Sequence, residues 1–263
     1  MKLSTKKLSM LVPTCGLIAL VLGLGALGVR FWLYKAAIDE KDLVTPGHPS
    51  VIVSYVLTVL VPGILVLLLR PLPKKLQYPS RGNVLNLAGA VVGAAGIFYT
   101  TVTEMLAKGD RQANYLSLLA MGLGIAAGVA MLLAEAVRFV KGRPLYYCHA
   151  LVTVYFILHI LSQYRTWNIE SQLQYYLPQL LASAALMLAA YYRASLENGS
   201  TNVRTFLMFN YSAAFLCCMA IKGDAPVFYL SMMLWTVTAG CKLTPLEETP
   251  NEYSEADEPH EAA

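Results

Sequence analysis

Long runs of apolar residues separated by short polar segments dominate the sequence. Eight runs are long enough to cross a hydrocarbon core of about 30 Å, which takes roughly 17–25 helical residues. They cover residues 8–29, 50–69, 84–107, 115–137, 144–164, 175–192, 203–221 and 225–241. Backbone polar groups must be paired inside lipid, so runs of this length predict helices; barrel strands would be about 10 residues with alternating polarity. The pattern predicts an all-α, polytopic transmembrane bundle with eight spans.

Little of the chain remains outside these runs. The longest connection, residues 30–49, has 20 residues, which is too short for a soluble catalytic domain. The composition agrees: 57% of residues are hydrophobic and 14% charged, whereas soluble domains have about 45–50% and 25%. We therefore expect one transmembrane domain over residues 1–242. Residues 243–263 hold seven acidic residues and no Lys or Arg, which is typical of a disordered tail.

The first run has an alternative interpretation, because Lys2, Lys6 and Lys7 precede it as they would precede the apolar part of a signal peptide. A signal peptide has about 7–15 apolar residues and an A-x-A-like cleavage site. This run has 22 residues and ends without such a site. We expect the first span to be retained; its cleavage, which would leave seven helices, is the alternative.

The basic residues are divided unequally between the two sides that eight spans define. Thirteen Lys and Arg residues fall on the side of the N-terminus and seven on the other. Because Lys and Arg accumulate on the cytoplasmic side, we expect both termini in the cytoplasm and the protein in the plasma (cytoplasmic) membrane. The net charge of +4 combines a basic membrane part with the acidic tail. The basic residues form no dense cluster of the kind that binds nucleic acid.

The fifth run carries the most informative polar positions. They are His149, Tyr155, His159, Ser162 and Gln163. At about 100° per residue these positions fall within about 140° of a helix and form one polar face. Histidine can relay protons or bind a metal or haem, but the two histidines are about 15 Å apart along the helix and no other run contains one. We therefore expect no metal and no cofactor. Interhelical hydrogen bonds are the competing role for both histidines.

The candidate intramembrane site has six residues: His149, Tyr155, His159 and Gln163 of the fifth run and two more polar residues. Glu104 lies near the end of the third run, and Asn210 lies inside the seventh. Each has an ordinary alternative role: Lys108 is placed to form an i,i+4 ion pair with Glu104, and an amide stabilises helix contacts in lipid. Glu135 and Arg138 form a similar i,i+3 pair at the end of the fourth run.

Catalytic and nucleotide-binding motifs give no support for an enzyme. A G-x-G-x-x-G pattern occurs at Gly23, Gly25 and Gly28. Dinucleotide binding needs that pattern between a strand and a helix, whereas here it lies inside an apolar run. The sequence contains no G-x-S-x-G, H-E-x-x-H or Walker lysine pattern, each of which marks a known chemistry. It therefore predicts no catalytic residue.

Function can be predicted only by class. We expect transport or binding of a small or lipid-like solute within the bundle, along the polar face of the fifth span with Glu104 and Asn210. The alternative is a non-catalytic membrane subunit that stabilises or regulates a partner protein. An intramembrane enzyme is a third hypothesis and would require ionisable groups that converge at one depth. The lipid bilayer is the one partner that the composition itself implies.

Overall fold

The structure, a computed structural model, describes residues 5–38, 44–45, 47–72, 82–108, 115–167 and 173–241. Eight helices contain most of these residues. They are α1 (Thr5–Ala36), α2 (Pro49–Leu69), α3 (Val84–Lys108), α4 (Tyr115–Lys141), α5 (Tyr146–Trp167), α6 (Leu173–Glu197), α7 (Val203–Ala220) and α8 (Pro226–Gly240). The acidic tail predicted for residues 243–263 lies outside the described residues.

Each of the eight predicted runs corresponds to one helix, which confirms the all-helical prediction for the described part of the chain. The main differences are at helix ends. α1 continues seven residues beyond the predicted end at residue 29, and α6 continues five residues beyond residue 192. In both places the first charged residue ends the apolar run but not the helix. These two extensions bring Arg30, Arg193 and Glu197 into helices.

Among the described residues, five helices are long and apolar enough to cross a membrane: α1, α2, α3, α4 and α7. α5 and α6 have 22 and 25 residues but carry more polar side chains, and α8 is apolar but has only 15 residues. Large apolar side chains cover the outside of the bundle, including Leu67, which is 65% exposed, and Val59, which is 77% exposed. Exposed apolar surface of this extent is typical of contact with lipid, so the structure supports an integral membrane protein.

The helices are arranged around α7. It contacts α1, α2, α6 and α8, and 14 of its 18 residues are buried. α3 packs against α4 and α8, and α5 packs against α4 and α6. α3 and α4 run antiparallel, because Gly124 faces Thr101, whereas Gly128, one turn later, faces Phe98.

The glycines of α3 lie in close contact with α8. Gly89 lies against Thr238, Gly93 against Trp235 and Gly96 against Ser231, all side chains of α8. A Cβ atom at Gly96 would lie 2.6 Å from the Ser231 Cβ. Small residues let helix backbones approach closely when no hydrophobic driving force acts between them in lipid. The glycine face of α3 therefore fixes the position of α8.

Candidate functional site

The polar face predicted for α5 is present, but its two ends contact different helices. His149 and His159 are both buried, and about 15 Å of helix separates them at 1.5 Å per residue. His149 lies among charged residues of α4 and α6, whereas His159 lies near α3 and α8. The six predicted site residues are therefore not one site.

Around His149, five ionisable side chains come together; we call them the ionic cluster. They are Glu135 and Arg138 of α4, His149 of α5, and Arg193 and Glu197 of α6. An oxygen of Glu197 lies 2.9 Å from an Arg138 guanidinium nitrogen and 3.3 Å from His149 Nε2. Arg193 contacts the Glu135 carboxylate and stands 3.9 Å from Glu197. The cluster thus joins three consecutive helices through their side chains.

Burial makes the ionic cluster energetically important. All five side chains are at least 96% buried, and the guanidinium of Arg193 lies 5.7 Å from the centre of the Trp235 ring on α8. Two carboxylates and two guanidiniums balance when His149 is neutral. Removing one member of such a group would leave a buried charge uncompensated, which is strongly destabilising. The folded bundle is therefore most stable when all charged members of the cluster are present together.

The ionic cluster contains side chains that could act as metal ligands. Ligand atoms of Glu135, His149 and Glu197 all lie within 4.8 Å of one another, and His149 Nδ1 has no hydrogen-bond partner among the described residues. However, Arg193 contacts Glu135, and Arg138 contacts Glu197. A divalent cation would add two positive charges to a group that is already balanced, at a high cost in a buried site. The geometry favours an ion-pair network over a metal centre.

Four of the predicted site residues lie together at the other end of α5. The amide of Gln163 donates a hydrogen bond to the Glu104 carboxylate on α3, with a nitrogen–oxygen distance of 3.0 Å. The rings of Tyr155 and His159 have their centroids 5.6 Å apart, and His159 is 5.1 Å from the ring of Phe228 on α8. This amide cluster, defined by Glu104, Tyr155, His159 and Gln163, links α3 and α5. The Lys108 side chain, the alternative partner predicted for Glu104, lies outside the described residues.

Asn210 stands apart from both clusters. Its side-chain amide donates a hydrogen bond to the backbone carbonyl of Thr236, so it joins α7 to α8. Asn210 is 1% exposed and sits in closely packed surroundings that include Tyr211. Asn210 therefore forms an interhelical hydrogen bond, which is the alternative role that its residue type suggests.

A groove of about 400 Å³ opens between α5 and α6 at the end of the bundle where the ionic cluster lies. Its walls are Tyr146, Ala150, Thr153, Val154, Tyr191, Ala194, Ser195, Asn198 and Ser200. The same turns of helix carry the cluster, since Ala150 follows His149 and Ala194 follows Arg193. The Thr153 hydroxyl donates to the His149 carbonyl at 2.9 Å. None of the six predicted site residues lines this groove.

The chain matches no protein family, curated protein or solved structure. The candidate site therefore rests on geometry and chemistry alone.

The apolar pattern of the sequence does not identify Arg193 and Glu197 as site residues. Both lie beyond residue 192, where the apolar run ends and a connection is predicted. Their i,i+4 spacing was the available signal, because it places the two side chains on one side of a helix. Their partners on α4 and α5 could not be found in this way, since the contacts depend on how three helices pack.

Proposed function

We propose that the protein is an eight-span integral membrane protein, with both termini in the cytoplasm, that binds a lipid-like solute between α5 and α6. The observation that carries this proposal is the open groove of about 400 Å³ beside the ionic cluster. Ligand sites are typically concave, mostly apolar and of about 300–1,000 Å³, with a few polar groups that orient the ligand. The groove has a volume in that range and a lining of apolar side chains with a few polar groups.

The distribution of polarity along the groove suits an amphiphilic molecule. Ser195, Asn198 and Ser200 provide hydroxyl and amide groups near the end of α6, where a polar head would lie. Ala150 and Val154 provide an apolar wall farther along α5. In the proposed topology the polar end faces the cytoplasmic surface, so a bound amphiphile would have the same orientation as the surrounding lipid.

The ionic cluster supports this function by holding the groove in shape. Ionisable residues within a membrane bundle are costly and commonly mark functional sites. Here the ion pairs join α6 to α4 and α5 on the turns that form the groove. The two helices would then stay at a fixed separation when the groove is empty. A preformed groove loses less entropy on binding than one that must be ordered by its ligand.

The proposed topology has a direct test. An enzyme reporter that is active only outside the cytoplasm should be active when fused after Val44, in the connection between α1 and α2. The same reporter should be inactive after Pro259, whereas a fluorescent reporter that folds only in the cytoplasm should give the reverse result. The excess of basic residues on the side of the N-terminus is the physical reason. The opposite pattern at both positions would contradict the orientation.

Solute binding is tested by filling the groove. Ala150→Trp places a large ring in it, and we expect the amount of co-purifying lipid-like molecule, measured by native mass spectrometry, to fall by about tenfold, which corresponds to about 1.4 kcal/mol. Ile157→Trp is the matched control, because Ile157 is exposed on the same helix and does not line the groove.

Equal amounts of bound molecule in both variants would contradict the proposal. A bound protein in place of a lipid-like molecule, lost in Ala150→Trp alone, would also contradict it and would favour the partner-subunit alternative.

A further inference from the structure

The groove between α5 and α6 has no charged side chain among its lining residues, which are alanine, valine, serine, threonine, asparagine and tyrosine. The charges on the same turns belong to the ionic cluster, where Arg138 and Arg193 are buried and already contact carboxylates. Arg143, three residues before Tyr146, is exposed and does not line the groove. Phosphate and carboxylate head groups are commonly held by Arg or Lys. This wall therefore favours an uncharged head group.

Two serines at the end of α6 form a hydroxyl pair that offers only lone pairs to a ligand. The Ser200 hydroxyl donates to the carbonyl of Ser195 at 3.0 Å, and the two hydroxyl oxygens are 2.7 Å apart. Because the Ser200 proton is used for the carbonyl, the Ser195 hydroxyl is the donor between the two oxygens. Both protons are then used, and the remaining lone pairs can only accept. A phosphodiester brings no proton to such acceptors, whereas a hydroxyl group does.

Asn198 and two tyrosines complete the polar end of the groove. The Asn198 side chain is exposed beside the hydroxyl pair, and its amide can both donate and accept. Tyr191 lies one turn before Ser195 and is 52% exposed, and Tyr146 packs on Tyr147 with ring centroids 3.9 Å apart. The face of an aromatic ring carries partial negative charge, which attracts the C–H groups on one side of a sugar. The groove thus offers contacts for both the C–H and the hydroxyl groups of a sugar.

The volume of the groove suits one sugar ring. It is about 400 Å³, whereas one water takes roughly 30 Å³ in the liquid, so the space corresponds to about a dozen water-sized groups, the size of a hexose. Ala150 and Val154, farther along α5, form an apolar wall. Val154 is 46% exposed, so a lipid chain can continue from the groove onto the apolar outer surface of the bundle.

We propose that the groove binds a glycolipid, with an uncharged sugar at its polar end and the lipid chains along Val154. This inference rests on the lipid-like solute proposed for the same groove and specifies its head group. The hydroxyl pair of Ser195 and Ser200 accepts hydrogen bonds from sugar hydroxyls, Asn198 both donates and accepts, and the sugar ring packs against Tyr191. A phospholipid is a poorer occupant, because its phosphate would find no cation in the wall.

The test compares three lipids with the same dioleoyl chains on the full chain in tetraethylene glycol monooctyl ether, a detergent without a sugar. They are monogalactosyl dioleoylglycerol, dioleoylphosphatidylglycerol, which has hydroxyl groups and a charged phosphate, and dioleoylglycerol, which lacks the sugar. Native mass spectrometry at equal lipid concentrations should show about fivefold higher occupancy by the galactolipid than by either of the others. This ratio corresponds to about 1 kcal/mol, the net value of a typical hydrogen bond.

Variants at the polar end test which groups recognise the sugar. Asn198→Ala and Ser195→Ala should each lower galactolipid occupancy about threefold and leave dioleoylglycerol occupancy nearly unchanged. Asn202→Ala is the matched control, because Asn202 is also exposed near the end of α6, forms no side-chain capping bond and does not line the groove. Arg143→Gln should leave the order of the three lipids unchanged, since no cation is needed.

Equal occupancy by galactolipid and dioleoylglycerol, or a preference for phosphatidylglycerol, would overturn the proposal. Galactolipid occupancy that is unchanged in Asn198→Ala and Ser195→Ala, or that falls equally in Asn202→Ala, would overturn it as well. Ala150→Trp separates this failure from that of the proposed function. If phosphatidylglycerol or dioleoylglycerol is preferred and is lost in Ala150→Trp, the groove binds lipid but does not recognise a sugar. If Ala150→Trp changes the occupancy of none of the three lipids, both proposals are wrong.

Discussion

Replacing Arg193 with leucine should lower the free energy of unfolding by about 3–5 kcal/mol. Arg193 is 1% exposed, contacts Glu135 and stands 3.9 Å from Glu197. Leucine fills part of the space but leaves two buried carboxylates against the single remaining guanidinium of Arg138. The measurement is reversible unfolding in mixed micelles, with the change in helix content followed by circular dichroism.

Two further variants separate this effect from a general loss of charge. Arg165→Leu removes an exposed arginine near the end of α5 and should leave stability nearly unchanged. Adding Glu135→Leu to Arg193→Leu removes one carboxylate together with its guanidinium and should restore at least half of the lost stability. If Arg193→Leu costs no more than Arg165→Leu, the ionic cluster does not hold the three helices together.

Gly96→Val should also destabilise the bundle strongly, by about 1–3 kcal/mol, because overpacking forces backbones apart. The new side chain would overlap Ser231, whose Cβ lies 2.6 Å from the position of the added Cβ. α3 and α8 would have to separate. Gly122→Val on α4 is the matched control. Apart from the neighbouring backbone of its own helix, no heavy atom lies within 4 Å of a Cβ added at Gly122. The same unfolding measurement applies, and equal stability of the two variants would contradict the close approach of α3 and α8.

The helices could be predicted from the sequence because their signal is local. An apolar run of about 20 residues has one stable form in lipid, so the existence of each helix follows from composition. The ends of α1 and α6 could not be predicted in this way. Arg30 and Arg193 interrupt the apolar runs, yet arginine, alanine, leucine and glutamate are good helix formers. The helices continue through them, and the charged side chains end up inside the bundle.

The candidate site was only partly predictable for a different reason. The polar face of α5 follows from helix periodicity, and both of its histidines are buried. Periodicity describes angle around one helix and does not say which helices are neighbours at each depth. The contact of His149 with Glu197, and of Gln163 with Glu104, therefore appears only in the packed bundle. The groove between α5 and α6 depends on three-dimensional packing in the same way.

The length of α8 has a consequence for the membrane itself. Fifteen residues rise about 22 Å, whereas the hydrocarbon core is about 30 Å thick. In the proposed eight-span arrangement, lipids that touch Val227, Leu230 and Leu234 on the outside of α8 meet an apolar surface shorter than the full thickness of the hydrocarbon core. Such a mismatch is relieved by local thinning of the bilayer. The protein would therefore be surrounded by an uneven lipid annulus, thinnest beside α8.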